Sequence, residues 1–273
     1  MSGHSNLNTF ALVGAPNSGK TTLYNWLTNS KFKTVNYPGA TVEYSMGQLA
    51  PHWQAAQKKI GQIVDTPGVY SLHPKSADED VTLKVLYNNS KAGPIQGVIV
   101  VVDGTQLSRH LLLAEQIRET GFPMVLVITM SDLLKKEKIE IDIKYLAQYF
   151  GCRVVAVDGL LGAGIQELVD ICENIDLNIC GKKPEIWDLD TQEKKQTEIE
   201  KVAKVALKNN SELAVKMKNV SLMTRKIDAI LMHPVFGFIA FLLIMTILFS
   251  SIFWLAQPFM EAIDLSFSYL GNK

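Results

Sequence analysis

The 273-residue chain predicts an α/β domain around a mostly parallel six-stranded sheet, followed by an α-helical segment and one transmembrane helix. Three observations carry this expectation. Short apolar runs alternate with longer amphipathic stretches from Thr9 to about Asn174, the pattern of βα units. Glu and Lys then dominate Thr191 to Lys218, and from Pro234 to Met260 there is neither a charged residue nor a histidine. The expected divisions are 1–176 for the α/β domain, 177–228 for a helical linker, and 229–273 for a segment leading into the membrane and its span.

The strands come first. They are TFALV (9–13), EYSMGQL (43–49), KIGQIVD (59–65), GVIVVVD (97–103), MVLVIT (124–129) and RVVAV (153–157). Among the intervening helices, QLSRHLLLAEQIRET is the clearest, with Leu107, Leu111, Ala114, Ile117 and Arg118 at steps of three and four. Beyond Gly181 and Pro184, apolar residues at Ile199, Val202, Val205, Ala206, Leu213 and Val215 read as one or two amphipathic helices, with a solvated spacer as the plain alternative. The run VFGFIAFLLIMTILFSSIFWLA exceeds the roughly 20 apolar residues that cross a bilayer. A buried core helix is the competing reading, disfavoured because the run is apolar on every face. Arg225 and Lys226 precede it while Glu261 and Asp264 follow, which places its N-terminal side in the cytoplasm and Trp254 at the far interface.

Composition excludes some classes. With 27 basic and 27 acidic residues the net charge is zero, so nothing draws the chain to nucleic acid. Cys152, Cys172 and Cys180 are odd in number and lack CxxC spacing, as expected of reduced thiols. Met1 to Phe10 lacks the apolar run of a secretory signal.

The chemistry sits in the loops. Gly14-Ala15-Pro16-Asn17-Ser18-Gly19-Lys20-Thr21 fits GxxxxGK[ST], straight after a predicted strand and opening a predicted helix that continues with Thr22. In such a loop, glycines let backbone amides curl around phosphates, the Lys20 ammonium neutralises the β and γ oxygens, and the Thr21 hydroxyl ligates Mg²⁺. The strand KIGQIVD ends in Asp65-Thr66-Pro67-Gly68, which puts a carboxylate where it can face Mg²⁺ directly or through water and the Gly68 amide where it can meet a γ-phosphate. Between them lies the Gly/Pro loop NYPGATVE (36–43), whose Thr41 can complete the metal shell when triphosphate is bound. Asp132, in Thr129-Met130-Ser131-Asp132, can accept from guanine N1 and the exocyclic amine. The Gly159 amide, after Asp158, can reach O6. The pattern is that of a P-loop GTPase fold.

Together, GAPNSGKTTLYN, NYPGATVE, DTPGVYSL, VVVDGTQLSRHLLLAEQIRETGFPMVLVITMSD and TRKIDAILMHPVFGF resemble the N-terminal part of the ferrous iron transport protein B family, its G domain and first membrane helix. The resemblance implies a cytoplasmic GTP-binding and GTP-hydrolysing domain at the inner membrane. It also implies a dissociation-inhibitor-like helical segment, here shortened, and a permease portion beyond this chain through which Fe²⁺ moves. It admits small cytoplasmic regulatory proteins and an oligomer as partners. It further implies K⁺ at Asn17, in place of an arginine finger. Val69 follows DTPG where Ras-type enzymes carry a water-orienting glutamine, so slow hydrolysis is expected. The catalytic set is then Asn17, Lys20, Thr41 and Gly68.

Three departures from the family are expected to matter. Thr129 replaces the first Asn of NxxD, losing an amide that braces the P-loop and guanine. Asp158-Gly159 replaces Ser-Ala, which should loosen the last loop. The helical segment is short. Arg109 reads as solvent-facing rather than as a finger, and His233, before Pro234, as a helix-boundary residue rather than an iron ligand. No His, Cys, Asp or Glu cluster has metal-site spacing, which leaves iron to another part of the assembly. A membrane-tethered regulatory GTPase that transports nothing is the competing reading.

Overall fold

The computed structural model describes residues 8–29, 32–36, 43–53, 60–73, 76–87, 94–177, 181–208 and 236–271. The chain divides into two compact units, Met1–Asn209 and Asn210–Lys273.

The first unit is built on a seven-stranded sheet. Its strands are β1 (Asn8–Gly14), β2 (Phe32–Asn36), β3 (Glu43–Gln48), β4 (Ile60–Asp65), β5 (Gly97–Asp103), β6 (Met124–Thr129) and β8 (Arg153–Ala156). They lie in the order β2-β3-β4-β1-β5-β6-β8. Five run parallel, while β2 and β3 form an antiparallel edge. The expectation of six strands is therefore corrected to seven. The missed strand, FKTVN, has three polar residues in five, and at the sheet edge it pairs only with β3. A strand with one neighbour need not read as apolar.

Parallel strands need crossovers, and these cover both faces. The helices are α1 (Lys20–Thr28), α2 (Ala77–Tyr87), α3 (Leu107–Thr120), α4 (Ser131–Lys136), α5 (Ile143–Phe150), α6 (Ile165–Asn174) and α7 (Leu189–Ala206). Because side chains alternate along a strand, β5 sends Val98, Val100 and Val102 to one core and Ile99 and Val101 to the other. The first core is completed by α2, α3, α5 and α7, the second by α1 and α6. β5 and β6 are buried at every position, which is why they read as unbroken apolar runs. Cys172 packs in the second core, and burial pushes its thiol pKa up.

Helix ends follow from local chemistry. Glycines in the left-handed region stop α3 at Gly121 and α5 at Gly151, while Asp142 and Asp188 cap α5 and α7 by accepting from Tyr145 N and Thr191 N. On α3, Leu107, Leu111, Ala114 and Ile117 are buried as expected, but Arg118 is not a core residue and pairs with Glu115 instead. On α7, Ile199, Val202 and Ala206 are buried with Ala203, whereas Val205 is exposed. A one-residue step is 100° of helix, enough to turn Arg118 and Val205 away from the core. Leu213 and Val215 lie outside the described residues. A small antiparallel pair, β7 (Glu140–Ile141) with β9 (Leu207–Lys208), fastens the end of α7.

Of the second unit, the structure describes one 36-residue helix, α8 (Phe236–Gly271), with Pro258 inside it. Phe238, Phe241, Leu242, Leu248 and Trp254 are exposed along it. Among the described residues, no helix is long and apolar enough to cross a membrane.

Candidate nucleotide site

β1 ends between β4 and β5, where successive crossovers depart to opposite sides, and an open α/β sheet leaves its crevice at such a switch point. The loop there is shaped by sterics. A Cβ on Gly14 would lie 2.6 Å from Val101 O and 2.9 Å from Ser18 Oγ, so only glycine lets β1 and the loop approach β5 this closely. Ser18 N donates to Ala15 O at 3.2 Å, Asn17 sits at φ 61°, and Gly19 at φ 84° opens α1. Asn17 and Pro16 are exposed at the crown of the turn, while Ser18 Oγ is buried with no partner among the described residues.

Lys20 is buried at the start of α1. Its Nζ donates to Asp65 Oδ1 at 2.6 Å and to Thr66 O at 2.5 Å. Thr21 Oγ1 reaches the other carboxylate oxygen, Oδ2, at 3.5 Å. Burial pushes the Asp65 carboxyl pKa up, against the opposing pull of the Lys20 ammonium. The segment after Asp65 lies against the loop: Thr66 Oγ1 donates to Leu12 O at 2.8 Å and Val69 N to Gly14 O at 3.0 Å. A Cβ on Gly68 would stand 3.0 Å from the Pro16 backbone. Pro67 O accepts from Thr82 of α2, and Val69 is in the core. The hydroxyl of Thr21 and the carboxylate of Asp65 are hard oxygen donors on two elements, a pair suited to Mg²⁺, which takes one or two protein oxygens alongside phosphate and water. Thr41 lies outside the described residues.

Thr129 adds a contact that the sequence did not show. Its Oγ1 donates to Ser18 O at 2.6 Å and lies 3.1 Å from Val102 O, and a Cβ on Gly19 would stand 3.4 Å from its methyl. The amide of an asparagine is absent here, and the P-loop is braced by the Thr129 hydroxyl in its place. Met130, at φ 58°, turns the chain into α4, whose first turn carries the half-buried Asp132. Ser131 Oγ donates to Val157 O at 3.2 Å, joining this loop to the next.

The last loop is closed by internal hydrogen bonds. The buried Asp158 carboxylate accepts from Leu160 N at 2.9 Å and Leu161 N at 3.1 Å. Asp158 N donates to Ala163 O, and Gly162 N to Asp158 O. Between 158 and 162 only the Gly159 N–H has no hydrogen-bond partner among the described residues. A Cβ on Gly159 would meet Thr22 of α1 at 3.3 Å, so loop and helix are in contact. Arg109 is exposed and stacks over Tyr70, 4.1 Å from its ring centre.

The sequence pattern of the family described as ferrous iron transport protein B matches residues 8–172, more than half of the chain. The chain belongs to that family. Among ferrous iron transport protein B relatives, the Fe(2+) transporter FeoB of Salmonella typhimurium is 36% identical over 160 residues, 59% of this chain and 20% of the relative. That of Campylobacter jejuni is 31% identical over 273 residues, covering 96% of this chain and 41% of the relative. The chain therefore spans less than half the length of these curated relatives. Of solved structures, the cytosolic domain of T. maritima FeoB in apo form is similar with TM-score 0.56 and 32% identity, over 67% of this chain and 68% of that one. An S. thermophilus NFeoB mutant bound to GDP matches with TM-score 0.55 and 26% identity, over 81% and 90%. The fold is the P-loop GTPase α/β fold of those cytosolic domains.

Sequence reasoning missed two groups. Gln116, buried on α3, accepts from Leu72 N at 2.7 Å and donates to Ser71 Oγ. His73 Nε2 lies 3.2 Å from both Glu185 O and Trp187 N, with its ring against Trp187. They fix the segment after DTPG, yet neither lies in a nucleotide-binding motif, and only the fold brings them to that segment.

Proposed function

We propose that this chain binds GTP and GDP and hydrolyses GTP slowly, as the cytoplasmic G domain of an inner-membrane Fe²⁺ transport system. The observation that carries the reading is the convergence of Lys20 Nζ and the Thr21 hydroxyl on one buried carboxylate, Asp65, at the opening of α1. Phosphate oxygens would take the place of Asp65 and Thr66 O on the Lys20 ammonium, with Gly14, Ala15, Pro16, Asn17, Ser18, Gly19 and Thr22 lining the turn. Thr21 and Asp65, with Thr41, would hold Mg²⁺, whose charge offsets that of the phosphates. Asp132 would accept from the guanine N1 and exocyclic amine, and the free Gly159 amide would donate to O6. Thr129 and Met130 would set the loop that carries Asp132, and Asp158 the loop that carries Gly159.

Hydrolysis needs a water in line with the γ-phosphate. The Gly68 amide would hold the phosphate, but Val69 points into the core and offers no group to orient that water, which keeps the rate low. Asn17, exposed at the crown, would hold K⁺ beside the phosphates. The apolar face of α8 would lie in lipid, with the G domain on the cytoplasmic side.

The test is steady-state hydrolysis and binding of GTP and ATP by the chain in K⁺ and Na⁺ buffers. Preference for GTP with faster turnover in K⁺ is expected. Equal turnover in the two salts would remove the role given to Asn17.

A further inference from the structure

We infer that Trp26 is a positioning residue for base recognition: its indole N–H holds the loop that presents the Gly159 amide, and so sets the preference for guanine and the rate of nucleotide release. The inference rests on the reading of Gly159 as the donor to O6.

Trp26 lies on α1, the helix that opens at Lys20, two turns after the phosphate loop. Its Nε1 donates to Gly159 O at 2.9 Å. The carbonyl it holds belongs to the residue whose N–H is the single unused amide of the loop. Holding the carbonyl fixes the 159–160 peptide, and with the Asp158 peptide groups bonded to Ala163 O and Gly162 N on the other side, both ends of Gly159 are anchored. The ring fixes the far side of the same loop. Gly162 stands at φ 71° with the position of a Cβ 2.9–3.1 Å from the Trp26 ring, so the turn closes onto the indole only with glycine there. Trp26 is held in its turn, since its own carbonyl accepts from Trp53 Nε1 at 2.8 Å.

The consequence is rigid coupling. Base loop and phosphate loop are attached to one helix, one by the indole and the other by Lys20, so the distance between the two ends of the nucleotide site is set by α1. Asp158 shapes the loop internally, and Trp26 places it. A loop held this way donates to O6 without an ordering cost at the moment of binding. Adenine carries a donor amino group at that position, which opposes the Gly159 N–H, so a displaced amide penalises guanine and does not weaken adenine nucleotides.

The experiment compares GDP and ADP affinity, and the GDP dissociation rate, for the chain in detergent and for two variants. Trp26→Phe keeps a ring and removes the donor. Trp26→Gln places an amide N–H the same number of bonds from Cβ as the indole N–H. Loss of one such hydrogen bond corresponds to about a threefold to tenfold change. Trp26→Phe is expected to weaken GDP binding and speed its release by that factor, with ADP affinity unchanged or higher, while Trp26→Gln, which keeps a donor but gives up the ring contact at Gly162, is expected to lose less GDP affinity than Trp26→Phe. Equal weakening of GDP and ADP in Trp26→Phe, no change in it, or equal loss in both variants would overturn the inference. Should Trp26→Phe not fold, Trp26→Leu against Trp26→Gln reads the same donor. A parent protein that binds GDP no better than ADP would instead sink the base-recognition reading itself.

Discussion

Thr129 shows how much of this site depends on single polar atoms. Its hydroxyl is shared between Ser18 O and Val102 O, so it ties the phosphate loop to β5 from the tip of β6. Thr129→Val keeps the shape and strands a buried carbonyl, which costs about 1–3 kcal/mol. A lower thermal midpoint together with weaker GDP binding is expected, and a variant that melts and binds as the parent does would refute the bracing role. Asp158 is similar, since Asp158→Ala leaves Leu160 N and Leu161 N without their acceptor. Faster GDP release is expected there in a stopped-flow displacement. The P-loop and Asp65 were legible from sequence because their chemistry restricts residue types: Gly14 has no room for a side chain, and a carboxylate at a strand tip has few other uses. The bracing by Thr129 and the indole contact of Trp26 were not legible, because either residue is ordinary until the fold places a carbonyl 2.6 or 2.9 Å away.

At the scale of elements, α7 docks on α3 through a buried carboxylate. Glu115 is fully buried, accepts from Arg118 and from Lys195 of α7, and Lys195 also reaches Glu119. Glu119 in turn accepts from Trp187 Nε1 at 2.8 Å. Burial alone would raise the Glu115 pKa, but the hydrogen bonds and charges of Arg118 and Lys195 hold it below the ordinary carboxylate value. A depressed folded-state pKa contributes stability above the unfolded value and loses it as pH falls through the folded one. The thermal midpoint should therefore drop on acidification below about pH 4, where glutamate titrates, and Lys195→Met should flatten that dependence while lowering the midpoint at neutral pH. A midpoint that rises on acidification would contradict this. The same scale separates the readable elements from the hidden ones. β5 and β6 matched residue for residue because a strand buried on both faces is apolar throughout, whereas the polar edge strand β2 carried no such signal. The contact of α7 with α3 was not readable, since the charges that make it look like a solvated face are partly buried ion-pair partners.

For the whole molecule, two units with different surfaces share one chain. The first, Met1–Asn209, holds the P-loop GTPase fold with its two cores; the second carries a helix whose large apolar side chains are exposed over several turns. Water is a poor solvent for such a helix, and burying it in lipid satisfies the same side chains. The chain is expected to stay with membranes after alkaline carbonate extraction, and release into the soluble fraction would contradict that placement. The central claim, that this fold presents a guanine-nucleotide site, is tested most directly by equilibrium binding of GDP and ADP to the whole chain in detergent with Mg²⁺. The account predicts that GDP binds well above ADP and that Lys20→Ala abolishes both. Equal binding of the two, or binding that survives Lys20→Ala, would contradict it.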